Sequence, residues 1–491
     1  MRFDLDLGTP SRGSARRDAE DPLRLLVIGN FSGNMERKPG TQFPARRLDI
    51  DNFDAVMKAV NPALELSLPG LGDSRVRLAF ASLDDFHPDA IFRECGIFSA
   101  LREKRALLAN PATFSSTAAD MLESGKPDRP LSSSEGEMFE RLLGSRGAAA
   151  AAPQAPATSQ SAAIQRLINR VVSPHIVADV APEQGRYIAS VDAAVSALMR
   201  DILHAPAFQA LESAWRGARS LLDETEGGEE TGIWLADAST QELAADIDRA
   251  GDDPAKSALF ELLVAHAERA ADAQPWSIVI GNYLFGLADE DLRLLSMLGS
   301  LCRRAGAFLV SGGDPTIAGC KSLATSPEPA SWEISAQDAE KWRVLRAQPH
   351  ASSIALALPR VLARLPYGKA FDAIDSFAFE ELTGPEHEAL LWGNSAFVLG
   401  RLLIRGFIAR GWDMEPGDEL ELGELPALVR GSGDDRKLQA SAEVYLGDRG
   451  GQKLLSLGLV PVLSYEQRAA VRLMRVQSIA EPAAALSAAW I

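Results

Sequence analysis

Chemistry in this chain would have to come from a short roll of residues. Asp84 and Asp85 are adjacent carboxylates, the residue type that serves general acid and base catalysis. Neighbouring side chains do not converge, however, and no histidine or metal-ligand partner follows at a useful spacing. Ser82 and Pro88 flank the pair as helix-start residues, so capping of a helix N-terminus accounts for both carboxylates. The six histidines are scattered with no i,i+3 or i,i+4 pair, and His204 stands alone at the start of a helical pattern, as a boundary residue does. Gly281–Gly286 (GNYLFG) reads as a glycine-bearing turn after a strand, where a phosphate could be cradled, but Leu287-Ala288 follows instead of Lys-Ser/Thr. The serines lie in no G-x-S-x-G elbow, and Cys95, Cys302 and Cys320 are too few and too far apart for a disulfide framework or a metal doublet. These residues predict no catalytic group, no cofactor and no metal. An α/β enzyme handling a nucleotide or sugar survives only as a fold-level alternative.

The elements around these residues predict an α/β chain with mixed sheets, in two modules. Residues 24–28 form a short apolar run closed by Gly29-Asn30, and 51–60 carry Phe53, Val56, Met57 and Val60 on one helical face. Residues 64–68 and 75–80 alternate as strands. Residues 205–222 repeat Phe208, Leu211, Trp215, Ala218 and Leu222 at three- and four-residue steps behind Pro206. Strand 277–280, helix 289–305 and strand 307–310 make a β-α-β unit with a parallel pair. Helices are expected at 133–143, 341–347 and from Asn394 to Arg410, and strands at 442–446 and 459–463 around Asp448-Arg449-Gly450-Gly451. Val471–Ile491 reads as a modest helix with a tail of small residues. Arg360, Arg364, Lys369 and Arg401 form either a basic surface for an acidic partner or the solvated flanks of a core helix.

Between the modules, residues 144–163 read GSRGAAAAAPQAPATSQSAA, with no aliphatic side chain larger than alanine and with Pro153 and Pro156 against a helix. This is a flexible linker by composition, separating 1–143 from 164–491. Ahead of the first module, Phe3, Leu5 and Leu7 alternate with Arg2, Asp4 and Asp6 as a half-buried strand, and the Gly, Pro, Ser and Arg that follow make it an arm able to pair with the sheet edge of a neighbour. A frayed terminus is the other reading. At 491 residues, 46% hydrophobic and 24% charged, the chain can bury more than one core. A net charge of -17 argues against nucleic acid or an anionic membrane as partner, and neither a signal-peptide core nor a membrane-length apolar run occurs, so a cytoplasmic location is expected.

Motif blocks along the chain carry a resemblance. The strand followed by GNFSGN, the block around Asp51, Asn52 and Phe53 (DIDNFDAVM), and the block ending in Asp84, Asp85 and Phe86 (FASLDDFHP) resemble the small sheath subunit of the bacterial type VI secretion system. The block HAPAFQALESAWRG, with Phe208, Leu211, Trp215 and Arg216, resembles the large sheath subunit. So do PRVLARLPYGK, with Pro366, Tyr367 and Gly368, the Trp392-Gly393-Asn394 helix start, and LSLGLVPV near the end. The resemblance implies a fused pair of contractile-sheath subunits in fixed one-to-one ratio, a structural protein and not an enzyme. It implies packing around an Hcp-type inner tube, with ejection driven by a change in lattice packing. The implied partners are its own copies or canonical sheath subunits, a ClpV-type AAA+ unfoldase acting near 164–171, and baseplate components. The family's usual C-terminal extension, a strand donor between subunits, is expected to be missing here, leaving a non-polymerising cap or adaptor as an alternative.

Overall fold

The computed structural model describes residues 21–33, 42–69, 75–124, 184–225, 230–251, 253–269, 274–431, 433–488 and 490. The expected strand at 1–7, the helices at 133–143 and 164–171, and the linker at 144–163 lie outside these residues. In chain order the elements used below are β1 (Leu23–Gly29), β2 (Arg46–Leu48), α1 (Phe53–Val60), β3 (Ala63–Ser67), β4 (Arg75–Ala79), α2 (Pro88–Glu94), α3 (Gly96–Ala109) and α4 (Pro111–Ser124). They continue with α5 (Gln184–Leu203), α6 (Pro206–Leu222), β5 (Thr231–Asp237), α7 (Thr240–Ala250), β6 (Ile278–Phe285), α8 (Asp289–Ala305), β7 (Phe308–Gly313), α9 (Ala336–Arg346) and β8 (Ile354–Leu358). The last are β9 (Val361–Leu362), β10 (Trp392–Gly393), α10 (Ser395–Arg410), β11 (Glu421–Leu422), β12 (Val429–Arg430), β13 (Lys437–Leu438), α11 (Asp448–Ser456), β14 (Val460–Ser464) and β15 (Val471–Leu473). The fold class is α/β, as the sequence predicts.

Two compact units form, each from separated stretches: Met1–Val60 with Leu211–Leu365 and Leu391–Ile491, and Asn61–Ala210 with Pro366–Leu390. Among the described residues the first unit holds a nine-stranded sheet in the order β11-β15-β14-β8-β7-β6-β1-β5-β2. The run β14-β8-β7-β6-β1-β5 is parallel throughout, with antiparallel strands at both margins. Strand β1 is apolar on both faces because both are covered, as in the centre of a parallel sheet. Leu25 pairs with Ile233 on one side and with Ile278 on the other, so the first module's strand sits between two strands of the second.

The helices follow from their ends. In α8 Asp289, Glu290 and Asp291 occupy the positive end and Arg303 and Arg304 the negative end, and Gly306 closes it at φ 76°. The predicted β-α-β unit is therefore present as β6-α8-β7. Asn394 caps α10 by accepting from Ala396 N at 2.9 Å. A Cβ on Gly400 of that helix would come within 2.6 Å of Ile280, so glycine lets α10 lie directly on β6.

In the second unit β3 and β4 form a hairpin that buries Leu64, Leu66, Val76 and Leu78 and exposes the residues between them, apart from half-buried Ala63. Helices α3 and α5 are joined by Arg105 and Asp192 at 2.6 Å, and Gln184 Nε2 donates to Leu108 O at 2.8 Å.

Several expectations are corrected. Gly281–Gly286 is not a turn, because β6 runs on to Phe285 with a shift of register after Gly281. Residues 442–446 form no strand: Glu443 turns inward to Arg360, and Ala442 alone bridges to Val361. Asp448-Arg449-Gly450-Gly451 opens α11, its glycines admitting close neighbours, since a Cβ on Gly451 would lie 2.7 Å from Met474 Sδ. Residues 471–473 extend the sheet as β15 and no helix follows among the described residues, because Leu473 and Val471 pair with Val462 and Ser464 of β14.

Candidate functional site

The parallel core runs β5-β1-β6-β7-β8 in space, so successive strands leave β1 in opposite directions. In open α/β sheets the crevice at this reversal, beyond the C-terminal ends of the strands, is where ligands bind. Here the chain fills it. Asp237, at the end of β5 and only 3% exposed, accepts from Phe31 N at 2.7 Å and Ser32 N at 3.0 Å through one oxygen. Those are the loop amides that would otherwise face a phosphate. Phe31 is wholly buried, and the hydroxyl of Tyr283 donates to Ala238 O at 2.8 Å across the same space. An internal carboxylate and two aromatic rings therefore stand where a nucleotide would need to enter.

Next to this loop the motif residues of both modules meet in the first unit. Trp215 is fully buried, and its Nε1 donates to Phe31 O at 2.9 Å. Phe31 and Phe53 both meet it edge-on, with centroids at 5.2 and 5.7 Å. Phe53 is placed by the turn before α1: Asn52 N donates to Asp49 Oδ1 at 2.8 Å, Asp49 N to Asn52 Oδ1 at 3.0 Å, and Asn52 Nδ2 to Arg47 O at 3.2 Å. Asp51 is exposed beside it. Leu211 is buried one turn before Trp215 on α6.

One turn below Trp215, Glu212 is entirely buried and receives Arg364 Nε at 2.7 Å, Arg364 Nη2 at 3.2 Å and Arg216 Nε at 2.8 Å. Burial pushes its carboxyl up, but the charges and hydrogen bonds of Arg364 and Arg216 outweigh this and hold it below the usual carboxylate range. Arg364 is thus neither a surface cation nor a solvated flank. Arg401 and Arg405 close on Glu224 at 2.7 and 2.6 Å, and Arg360 binds Glu443 at 2.9 Å. Three of the four cations considered as a basic surface are spent on internal carboxylates, and Lys369 belongs to the other unit. Trp392-Gly393 forms β10 against β9, and Asn394 Nδ2 donates to Tyr283 O at 2.8 Å while its oxygen caps α10.

In the second unit Asp85 accepts from Ala81 N and Ser82 N at 2.6 and 2.9 Å and so caps the turn that follows, while Asp84 is exposed and does not converge with it. Phe86 stacks on Phe80 at 4.1 Å, and Phe208 meets both edge-on at 5.6 and 5.9 Å. Pro366-Tyr367-Gly368 opens a loop. Tyr367 N donates to the buried Glu381 at 2.7 Å, its ring meets His87 at 4.9 Å, and Gly368 takes φ 153°, where a Cβ would collide with Glu380.

Sequence reasoning missed Asp237, Glu212 and a buried Ser296-His350-Ser300 network, whose ring nitrogens lie 3.0 and 3.1 Å from the two hydroxyls. His350 is 3% exposed, so this serine-histidine contact is core structure closed to any substrate. A hollow of about 700 Å³ opens beyond β6 and β7, but its Asp291 already accepts from Gly286 N at 3.0 Å, and Lys341 bridges Asp289 and Asp338. No helix among the described residues is long and apolar enough to cross a membrane.

Comparison with known proteins gives the arrangement its family. Residues 7–121 match the family described as type VI secretion system, VipA, VC_A0107 or Hcp2, and residues 185–480, more than half of the chain, match EvpB/VC_A0108, tail sheath N-terminal domain. The type VI secretion system sheath protein TssC1 of Pseudomonas aeruginosa is 30% identical over 306 residues, covering 60% of this chain and 61% of the relative. Sheath protein TssB1 of the same organism is 38% identical over 107 residues, covering 20% of this chain and 62% of the relative. The chain thus spans about three fifths of the length of each curated relative it matches. With the small-subunit match preceding the large-subunit match in one polypeptide, the chain belongs to the type VI secretion tail sheath family, one of structural sheath proteins and not of enzymes, as a fusion of its two subunits.

Proposed function

We propose that this chain is a protomer of a type VI contractile sheath, with 1–143 as the small-subunit module, 144–163 as connector and 164–491 as the large-subunit module. It packs around an Hcp-type inner tube in the cytoplasm and drives ejection by passing from one packing of its lattice to another, with no catalytic residue. The observation that carries this reading is the place of β1. A strand from the stretch matching the small subunit pairs on both sides with strands from the stretch matching the large one. One chain therefore supplies in fixed ratio what the named relatives supply as two proteins. In this reading Phe31, Phe53 and Trp215 form the internal seam, and Phe80, Phe86 and Phe208 do the same in the second unit. Phe3, Leu5 and Leu7 then offer a strand to a neighbouring protomer, and a ClpV-type AAA+ unfoldase and baseplate components complete the partners. Negative-stain electron microscopy of the purified chain, alone and with its inner-tube protein, tests the proposal. Tubes or stacked rings are expected. Dispersed particles in both samples would refute a polymerising protomer and leave a cap or adaptor of the same apparatus.

A further inference from the structure

The parallel strands of the first unit begin at the end of the sheet opposite the filled crevice, and four of the chain's eight tryptophans gather there. The chain enters β1 through Asp21–Arg24. Asp21 O accepts from Trp412 Nε1 at 2.8 Å, and the Asp21 carboxylate accepts from Gln274 Nε2 at 2.7 Å. The Arg24 guanidinium lies between Trp234 and Trp276, 4.4 and 4.7 Å from the ring centres, and donates to Gln274 O at 2.6 Å. Arg24 O accepts from Ser277 N at 2.9 Å, and Arg24 N donates to Ser277 Oγ at 3.2 Å. Leu23 N donates to Glu230 O at 2.8 Å, and the backbone of the entry is held further by Ser277 and Trp412.

Trp490 touches both of them from the far end of the chain. Its Nε1 donates to Ser277 O at 3.2 Å, and its ring meets Trp412 at 5.3 Å and 75° and Phe308 at 5.5 Å and 36°. Trp412 is braced in turn by Phe407 at 5.0 Å. The strap leading to Trp490 is held at intervals: residues 481–485 are exposed, yet Glu481 N donates to Arg346 O at 3.0 Å and its carboxylate pairs with Arg346 at 3.3 Å, Ala484 O accepts from Ser478 N at 3.0 Å, Leu486 is buried and Ser487 N donates to Ser352 O at 2.9 Å. A strap of this kind can leave without opening the core beneath it.

We propose that Trp490 is a latch on the entry of β1. By adding a second donor to the Ser277 carbonyl, which also accepts from Phe308 N at 3.4 Å, and by bracing the indole that holds Asp21, Trp490 sets how firmly residues 21–24 are gripped. The state of the strap is thereby coupled to residues 21–24. The latch stands on these contacts alone and holds whether or not the chain polymerises.

Hydrogen exchange on the full chain tests it. Trp490→Ala removes one indole hydrogen bond and two ring contacts, so exchange at the amides of residues 23–25 should rise about tenfold, while β8 and α5 keep their protection. Trp490→Phe, which keeps the ring but drops the donor, should give a smaller rise at the same amides. Coupling is reciprocal, so Gln274→Ala, which removes one donor to the Asp21 carboxylate without touching Trp490, should raise exchange at Ser487. Unchanged exchange at 23–25 in Trp490→Ala, with loss of protection confined to the strap, would overturn the latch. If that variant unfolds throughout, Trp490→Phe and Gln274→Ala decide. No change at 23–25 in the first, or at Ser487 in the second, would overturn the proposal equally.

Discussion

Replacing Asp237 by alanine should open the crevice that its carboxylate fills and make the chain answer to a small anion. Phe31 N and Ser32 N both lie within 3.0 Å of one Asp237 oxygen, at a site 3% exposed. Hydrogen bonds to a charged acceptor contribute about 1.5–3 kcal/mol each, so the two together give an expected loss of ~3–5 kcal/mol, although Phe31 N keeps its contact with Gly29 O at 3.1 Å. Asp237→Asn keeps one acceptor oxygen but no charge and should lose roughly half as much. Formate has the size and charge of the deleted group. At tenfold over its dissociation constant it should restore ~1.4 kcal/mol to Asp237→Ala and nothing to the parent chain. The assay is the urea midpoint in sodium formate against sodium chloride at equal ionic strength. Because a chain of two units need not unfold in one step, it should be read together with hydrogen exchange at residues 29–33. A loss below about 1 kcal/mol, or equal formate stabilisation of parent and variant, would refute the view that Asp237 is an internal anion held by those amides.

Glu212→Gln should destabilise the first unit by ~3–5 kcal/mol, since it leaves Arg364 buried without its counter-charge; replacing both partners by methionine should recover most of that loss in the same denaturation experiment. Burial, aided by the Arg303 charge, pulls the His350 imidazole down to about 4, whereas in the unfolded chain it titrates near ~6.5. Its folded value is depressed, so its contribution is fully present above about pH 6.5 and is lost as the pH falls toward 4, amounting to ~3 kcal/mol. His350→Asn should flatten the pH dependence of the unfolding midpoint in that window, and identical slopes in parent and variant would count against the assignment.

Periodicity carried the elements whose burial is one-sided. Helix α1 and the β3-β4 hairpin lie where a helical stripe or alternation puts them, because one face meets the core and the other meets water. It failed where a backbone hydrogen bond or a glycine contact decided the outcome. Gly281 and Gly450-Gly451 look like turn residues, yet serve close packing inside a strand and a helix. Ala442–Leu446 alternates like a strand, but Glu443 is drawn inward by an arginine 83 residues away. The candidate site was legible only as motif blocks. Phe53 and Trp215 were visible as core residues, but their meeting depends on a pairing across modules that no local pattern encodes. Asp237 and Glu212 were hidden for a related reason, since a buried carboxylate is recognised by its donors and these come from distant segments.

The central place of β1 also sets a clock on synthesis. Its neighbour β5 begins at Thr231, so about 200 residues must leave the ribosome before the strand LRLLVIG can find its first partner. At ~5–20 residues per second that is ~10–40 s in which an apolar, unpaired strand is exposed. Separate chains would have to close this gap by encounter at cellular concentration. A strand tethered to its own partners meets them at an effective concentration fixed by the connecting chain. The period of exposure is then bounded by translation, and the need for a holding chaperone is bounded with it.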